Sequence, residues 1–119
     1  MTHPCAELVA RCFAARTTAH CNHLTTTSYA QHVALGDFYE ALSDLVDAYA
    51  EIYQGTAGQI RTYPNVVPSR SEPVKLLEDY LELVLAEQTE DTEGEALRNV
   101  LAEIEALTAR SLYKLKFLK

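Results

Sequence analysis

Apolar residues recur at three- and four-residue spacing in four segments of this 119-residue chain. Gly and Pro fall almost wholly between these segments, whereas Ala, Leu and Glu are abundant within them. Such spacing gives a helix one apolar stripe that must be buried against another element. The sequence therefore predicts an all-α fold of four helices, and a chain of this length has room for one domain, residues 1–119.

The first predicted helix runs from about Cys5 to about His23. Its inward positions are expected to be Leu8, Val9, Cys12, Phe13 and Ala19. Threonines 25–27 follow, and their branched side chains and hydroxyls favour a turn. The second helix is predicted to begin after Ser28 as its N-cap and to end near Gln54, with Gly55 as its stop. Its apolar face comprises Leu35, Phe38, Leu42, Leu45, Tyr49 and Ile52.

The segment from Gly55 to Ser71 has no helical period and is predicted to be an extended crossover connection. Ser71-Glu72-Pro73 then predicts a cap, an early acid and a first-turn proline for the third helix. A polar acidic turn at 89–93 separates it from the fourth helix. The apolar positions of these helices are Val74, Leu77, Tyr80, Leu81, Val84 and Leu85, then Leu97, Val100, Leu101, Ile104, Leu107, Leu112, Leu115 and Leu118. Two helical hairpins joined by a crossover loop predict a ferritin-like four-helix bundle.

Charge and cysteine content narrow the class of protein. The net charge of −7 disfavours nucleic-acid binding, because such proteins neutralise phosphates with clustered Lys and Arg. No apolar run is long enough to span a membrane. The three cysteines cannot pair completely, and no secretory leader is evident, which predicts a reducing cytoplasm. Cys5 and Cys12 share one helical face and are expected to be small buried side chains.

Imidazole and carboxylate side chains gather on the first two predicted helices. On the second helix, His32, Gly36, Glu40, Ser43, Asp47 and Glu51 fall within an arc of about 100°. An ordinary solvated face would give the same stripe. His32 and Asp47 are roughly 22 Å apart along the helix axis and cannot share one ion within one chain.

A two-fold axis between two copies would remove this restriction. Antiparallel pairing of the second helices brings His32 of one copy toward Asp47 and Glu51 of the other, and His20 can join from the first helix. Imidazoles and carboxylates without thiolate suit iron, manganese or zinc. A zinc site of His20, His23 and His32 is a second possibility with a weaker signal, because no paired cysteines accompany it.

His20-Cys21-Asn22, His32 and the pair Asp47-x-x-x-Glu51 resemble the ferroxidase motif of the Dps family of miniferritins. The similarity extends to Leu35, Phe38, Thr62-Tyr63-Pro64 and Asp91-Thr92, and so covers most of the chain. It implies Fe(II) bound between subunits, oxidised by peroxide or oxygen and stored as a ferric product. The implied metal ligands are His20, His32, Asp47 and Glu51, with Glu40 or Asp37 as an auxiliary carboxylate.

Two positions differ from the family's pattern, since Gly36 stands where the family usually has an acid and Cys21 where it commonly has Trp. Residues 1–7 contain no Lys or Arg, so the basic extension with which some members hold DNA is absent and DNA binding is not expected. The Thr25–His32 run is also similar to small bacteriophage proteins, for which the cytoplasm would be that of the host. That similarity implies no activity and leaves open a non-catalytic helical oligomer, such as a phage structural or host-interaction protein.

Overall fold

Four α-helices make up the secondary structure of the described chain. The computed structural model describes residues 4–68, 70–89 and 94–119. The helices are α1 Pro4–Thr25, α2 Tyr29–Ala57, α3 Pro73–Thr89 and α4 Glu95–Phe117. No strand occurs in these ranges, so the all-α prediction is confirmed. Residues 90–93 of the predicted acidic turn lie outside the described residues.

The turn between α1 and α2 forms where the threonine-rich segment predicts it. Ser28 has an extended backbone, and its hydroxyl oxygen accepts the N–H of Gln31 at 3.2 Å. The Thr26 hydroxyl donates to Gln31 Oε1 at 2.7 Å and accepts the N–H of Ser28 at 3.1 Å. These side-chain bonds satisfy backbone groups that the first turn of a helix leaves without intrahelical partners. Ser28 is therefore the N-cap of α2, as predicted.

The predicted stop of α2 at Gly55 is wrong. The helix continues to Ala57, and the C-cap is Gly58, whose φ is +104° and whose N–H donates to Gln54 O at 3.1 Å. An L side chain rarely adopts such a φ, so the chain can leave the helix where glycine permits that conformation. Gly55 has no positive φ and remains an ordinary helical residue.

Glu72, rather than Ser71, caps the N-terminus of α3. Its carboxylate oxygens accept the N–H groups of Val74 at 3.0 Å and Lys75 at 3.1 Å. A carboxylate at this end also interacts favourably with the helix dipole. Pro73 then occupies the first helical position, as predicted.

The core lies where the apolar stripes of all four helices meet. Helix α1 packs against α2 and α3, and α4 packs against the same two helices. The largest fully buried side chains are Phe38, Leu35, Leu42, Leu77, Leu101 and Ile104. Each side chain of this kind contributes about 1.5–3 kcal/mol when it leaves water.

Three predicted inward positions are exposed instead. Phe13 is 47% exposed and Leu85 is 41% exposed, because their neighbours Cys12 and Val84 occupy the inward direction about 100° away on the helix. Leu118 is 48% exposed, since α4 ends at Phe117 and Leu118 is its C-cap.

The three cysteines are thiols rather than disulfides, and they lie in two environments. Cys5 and Cys12 are buried, as predicted, whereas Cys21 is exposed. Cys12 Sγ and Tyr80 Oη share a hydrogen bond of 2.7 Å that links α1 to α3. Burial raises the pKa of Cys5 to about 11 and the pKa of Cys12 to about 12. Both thiols therefore stay protonated near neutral pH and are poor nucleophiles.

None of the helices in the described ranges combines the length and the apolar character that crossing a bilayer requires.

The two glycines at the end of α2 should respond in opposite ways to substitution. A Cβ at either position meets nothing within 4 Å, so backbone conformation alone decides the outcome. We expect Gly55→Ala to raise the free energy of unfolding by about 0.5–1 kcal/mol. Gly58→Ala should lower it by about 1–3 kcal/mol. Urea unfolding followed by circular dichroism measures both, and a destabilised Gly55→Ala would contradict the boundary at Gly58.

Candidate functional site

Three imidazoles come together where α1 and α2 meet at the turn. His20 and His23 lie near the end of α1, and His32 lies in the first turn of α2. The His23 and His32 rings stack with their centroids 3.8 Å apart and an interplanar angle of 15°. The His20 ring meets His23 edge-on, at 6.0 Å between centroids. The histidines that the sequence singles out on the two helices are thus neighbours in the fold.

Reciprocal hydrogen bonds hold His23 and His32 against each other. His23 Nδ1 lies 2.6 Å from the carbonyl oxygen of His32, and His32 Nδ1 lies 2.8 Å from the carbonyl oxygen of His23. A carbonyl oxygen only accepts, so each Nδ1 carries a proton and donates it. In the neutral rings Nε2 is then the atom with the lone pair. Metal-binding histidines are commonly oriented by a bond of this kind to a backbone carbonyl.

A second set of contacts extends from His20 away from the turn. Tyr39 of α2 stacks on the His20 ring at 4.1 Å between centroids, and the Arg16 guanidinium lies 5.7 Å from the Tyr39 ring centroid. Arg16 Nε donates to Ser43 Oγ at 2.8 Å, and Ser43 Oγ donates to the Tyr39 carbonyl at 3.0 Å. These contacts lock the register of α1 against α2.

Sequence reasoning missed Arg16, although the register contains the signal that would have found it. Arg16 lies four residues before His20, and Ser43 lies four residues after Tyr39. In an antiparallel helix pair, if two residues are in contact, the residues one turn farther from the connecting turn on each helix also face each other. Pairing His20 with Tyr39 would therefore also have paired Arg16 with Ser43.

Gly36 leaves space for the His23 ring. A Cβ built at Gly36 would lie 3.1 Å from His23 Cε1 and 3.2 Å from His23 Nδ1. His23 cannot easily retreat, because its Nδ1 bonds to the His32 carbonyl and its ring stacks on His32. The space beside Gly36 is thus filled by the His23 imidazole.

The four carboxylates predicted as ligands or auxiliary ligands lie away from the histidines. Asp37, Glu40, Asp47 and Glu51 are all exposed on α2. Asp37 Oδ2 lies 4.0 Å from Lys114 Nζ of α4. In the part of the chain that the structure describes, no three His, Cys, Asp or Glu side chains are close enough to hold an ion. A single chain therefore does not form the predicted metal site.

The alternative zinc site of His20, His23 and His32 is not formed either. Their rings are in contact, but they make no group able to hold an ion among the described residues. The nearly parallel planes of His23 and His32 do not direct two lone pairs at one tetrahedral centre. The three histidines instead connect the two helices.

Five carboxylates lie along the outward side of α2. Asp37, Glu40, Asp44, Asp47 and Glu51 fall within an arc of about 80°, and α2 contains no Lys or Arg. We call these five residues the acidic stripe. Like charges at three- and four-residue spacing destabilise a helix by about 0.2–0.5 kcal/mol per pair. Among the described residues, the stripe has one ion pair, Asp37–Lys114, and its other four carboxylates have no ion-pair partner there.

The described residues form an all-α protein of four helices. Helices α1 and α2 make a hairpin with a histidine cluster near its turn and carboxylates along the outward side of α2. A family of unknown function (DUF5856) matches residues 23–115, which include His32, Asp47 and Glu51 but not His20. Because the match spans well over half of the chain, the protein belongs to this family. No curated protein and no solved structure shows significant similarity to the chain.

Substitution of Gly36 tests whether His23 is held in place. Glycine to alanine inside a helix normally gains about 0.5–1 kcal/mol. Here we expect Gly36→Ala to cost about 1 kcal/mol, because the added methyl overpacks a fixed imidazole. In a His23→Ala background the same change should become stabilising. Thermal unfolding of the four chains gives the coupling, and equal effects of Gly36→Ala in both backgrounds would contradict the contact.

Proposed function

We propose that this chain is a Dps-like iron-binding protein that takes up Fe(II) at a two-fold interface between copies of α2 and oxidises it for storage. Iron is the cargo in this proposal, and manganese or zinc can take its place at the same ligands. The observation that carries the proposal is the acidic stripe, most of whose carboxylates have no ion-pair partner among the described residues, on the helix whose first turn contains the oriented His32 ring.

Helix directions support a ferritin-like bundle. Helix α1 is antiparallel to α3, because the contacts Cys12–Tyr80 and Asn22–Ser71 pair earlier residues of one with later residues of the other. The contacts Arg16–Ser43 and His23–His32 show in the same way that α1 is antiparallel to α2. Two helices antiparallel to the same helix run in the same direction, so the connection 58–72 must return along the bundle. Extended, it reaches about 50 Å, whereas α2 is about 43 Å long. Parallel middle helices joined by such a crossover are typical of ferritin-like bundles.

The end of α4 agrees with that arrangement. Lys114 contacts Asp37 near the beginning of α2, and Lys116 Nζ lies 3.0 Å from Glu78 Oε2 near the beginning of α3. The C-terminal end of α4 therefore lies beside the N-terminal parts of both middle helices. Antiparallel packing of α4 against both helices would account for these contacts, and they support the up-down-down-up order.

A two-fold axis near residue 40 would complete the site. Residue 40 lies about midway between His32 and Asp47, so an antiparallel copy of α2 crossing there places His32 opposite the partner copy's carboxylates. Glu40 from both copies lies near the axis, where a cation relieves the repulsion between them. Asp37 and Glu40 would thus serve as auxiliary carboxylates.

The donor types suit iron chemistry. Asp47 and Glu51 are one helical turn apart and can reach one ion together. Carboxylates lower the net charge of the site and favour Fe(III), while His20 and His32 supply imidazole nitrogen. The Nδ1 bond of His32 holds its ring in the tautomer whose Nε2 can ligate. Oxidation by peroxide or oxygen would follow binding.

A non-catalytic helical oligomer is the second candidate, and one observation favours it. Tyr29 and Val33 at the beginning of α2 are 80% and 41% exposed, and apolar side chains beside a helix interface favour association without any metal. The same α2 pairing would then serve assembly or binding to a host protein, with the acidic stripe as a solvated or partner-binding surface.

Anaerobic Fe(II) titration with the mass measured in solution separates the two functions. We expect saturable binding in a dimer or larger oligomer. Glu51→Gln should weaken that binding by at least about tenfold, because even groups that merely support metal ligands commonly matter by that much. Glu103→Gln, an exposed residue of α4, is the matched control and should bind Fe(II) like the unmodified chain.

Absence of Fe(II) binding in an oligomer would overturn the iron proposal and favour the non-catalytic candidate. Equal binding by both variants would show that Fe(II) attaches elsewhere.

A further inference from the structure

A cavity separates one side of α1 from the segment that leads into α3. It is open to solvent on one side, has a volume of about 640 Å³, and its lining includes no residue of the histidine cluster or the acidic stripe. Its described lining residues are Thr17, Thr18, Cys21, Asn22, Thr25, Pro68, Arg70 and Ser71. Sites for small organic molecules typically have volumes of about 300–1,000 Å³. The cavity is therefore large enough for such a ligand.

The chemistry of this lining is that of an anion site. It offers hydroxyls, one side-chain amide and one guanidinium, and none of the described lining residues is a carboxylate. Arg70 is exposed and has neither an ion pair nor a hydrogen bond with any other described residue, so its guanidinium is accessible to a ligand. The Thr17 hydroxyl likewise has no hydrogen-bond partner in the described part of the chain.

The hydrogen bonds that position the residues around the cavity do not involve the Arg70 guanidinium or the Thr17 hydroxyl. Asn22 Nδ2 donates to the Ser71 carbonyl at 3.0 Å and fixes the segment before α3 against α1. Glu72 satisfies the first N–H groups of α3, so the helix terminus is not what would attract an anion. The guanidinium of Arg70 and the hydroxyl of Thr17 are the groups that remain.

We propose that this cavity binds a small phosphate ester, with Arg70 as the charge partner and Thr17 as a hydroxyl donor. A guanidinium matches phosphate with paired N–H groups, and the several terminal oxygens of phosphate accept from more donors than a carboxylate can. The threonine methyls and Pro68 would contact the organic part of the ester. This site does not depend on the iron proposal and is tested without metal.

Calorimetric titration of the full, metal-free chain with phenyl phosphate tests the assignment. We expect saturable binding of one ester per chain. Arg70→Gln should weaken it by about 10- to 100-fold, the effect of losing one charge-assisted contact. Arg61→Gln is the matched control, since Arg61 is exposed in the same connection and lies outside the cavity lining. Thr17→Val should give a smaller loss with the side-chain shape retained.

Cys21 supplies a second measurement inside the cavity. Cys5 and Cys12 are buried, with pKa values raised by burial to about 11 and about 12, so iodoacetamide at about pH 8 should modify Cys21 selectively. Bound phenyl phosphate should slow this alkylation in the unmodified chain and in Arg61→Gln, but not in Arg70→Gln.

Three outcomes would overturn the proposal. These are that phenyl phosphate saturates neither signal, that Arg70→Gln binds it as well as Arg61→Gln does, and that citrate binds while the phosphate ester does not. Binding of inorganic phosphate in competition with phenyl phosphate would support recognition of the phosphate group itself.

Discussion

The paired hydrogen bonds between His23 and His32 fix the register of α1 against α2, and the remaining contacts of the hairpin depend on that register. Each imidazole donates to the backbone carbonyl of the other residue while the two rings stack. Gly36 leaves the space that His23 fills. One and two turns before His23 in α1, His20 stacks on Tyr39 and Arg16 donates a hydrogen bond to Ser43. Histidines whose sequence pattern resembles a set of metal ligands thus also stabilise the packing of α1 against α2.

Helix α2 has a buried apolar side and, opposite to it, an exposed acidic side. Leu35, Phe38 and Leu42 are fully buried among the other helices, so α2 cannot rotate to hide its carboxylates. The acidic stripe therefore stays outside, where like charges repel one another and water screens only part of that repulsion. A cation bound between the carboxylates would lower this energy. A cation shared by two copies links this repulsion to the proposed function, because His32 and Asp47, about 22 Å apart along α2, can meet only between chains.

Features set by local chemistry could be predicted from the sequence, whereas features set by contacts between helices could not. The four helices and the Ser28 cap follow from apolar spacing and a hydroxyl at the right position. The sequence does not tell whether Gly55 or Gly58 ends α2. The path of the connection after the helix decides which of them adopts a positive φ, and it is Gly58. The ligand candidates were visible from spacing, but the role of His23 depends on Gly36 across the hairpin, and the proposed metal site itself needs a second copy.

Co-expression of His32→Ala and Asp47→Ala chains tests most directly whether one site takes its ligands from two chains. Each variant alone should lose saturable Fe(II) binding. In a mixed dimer one of the two sites receives intact His32 and Asp47 from different chains, so random assembly should restore about a quarter of the sites. Binding that stays at the level of the single variants, or single variants that bind like the unmodified chain, would contradict a shared site at the α2 interface.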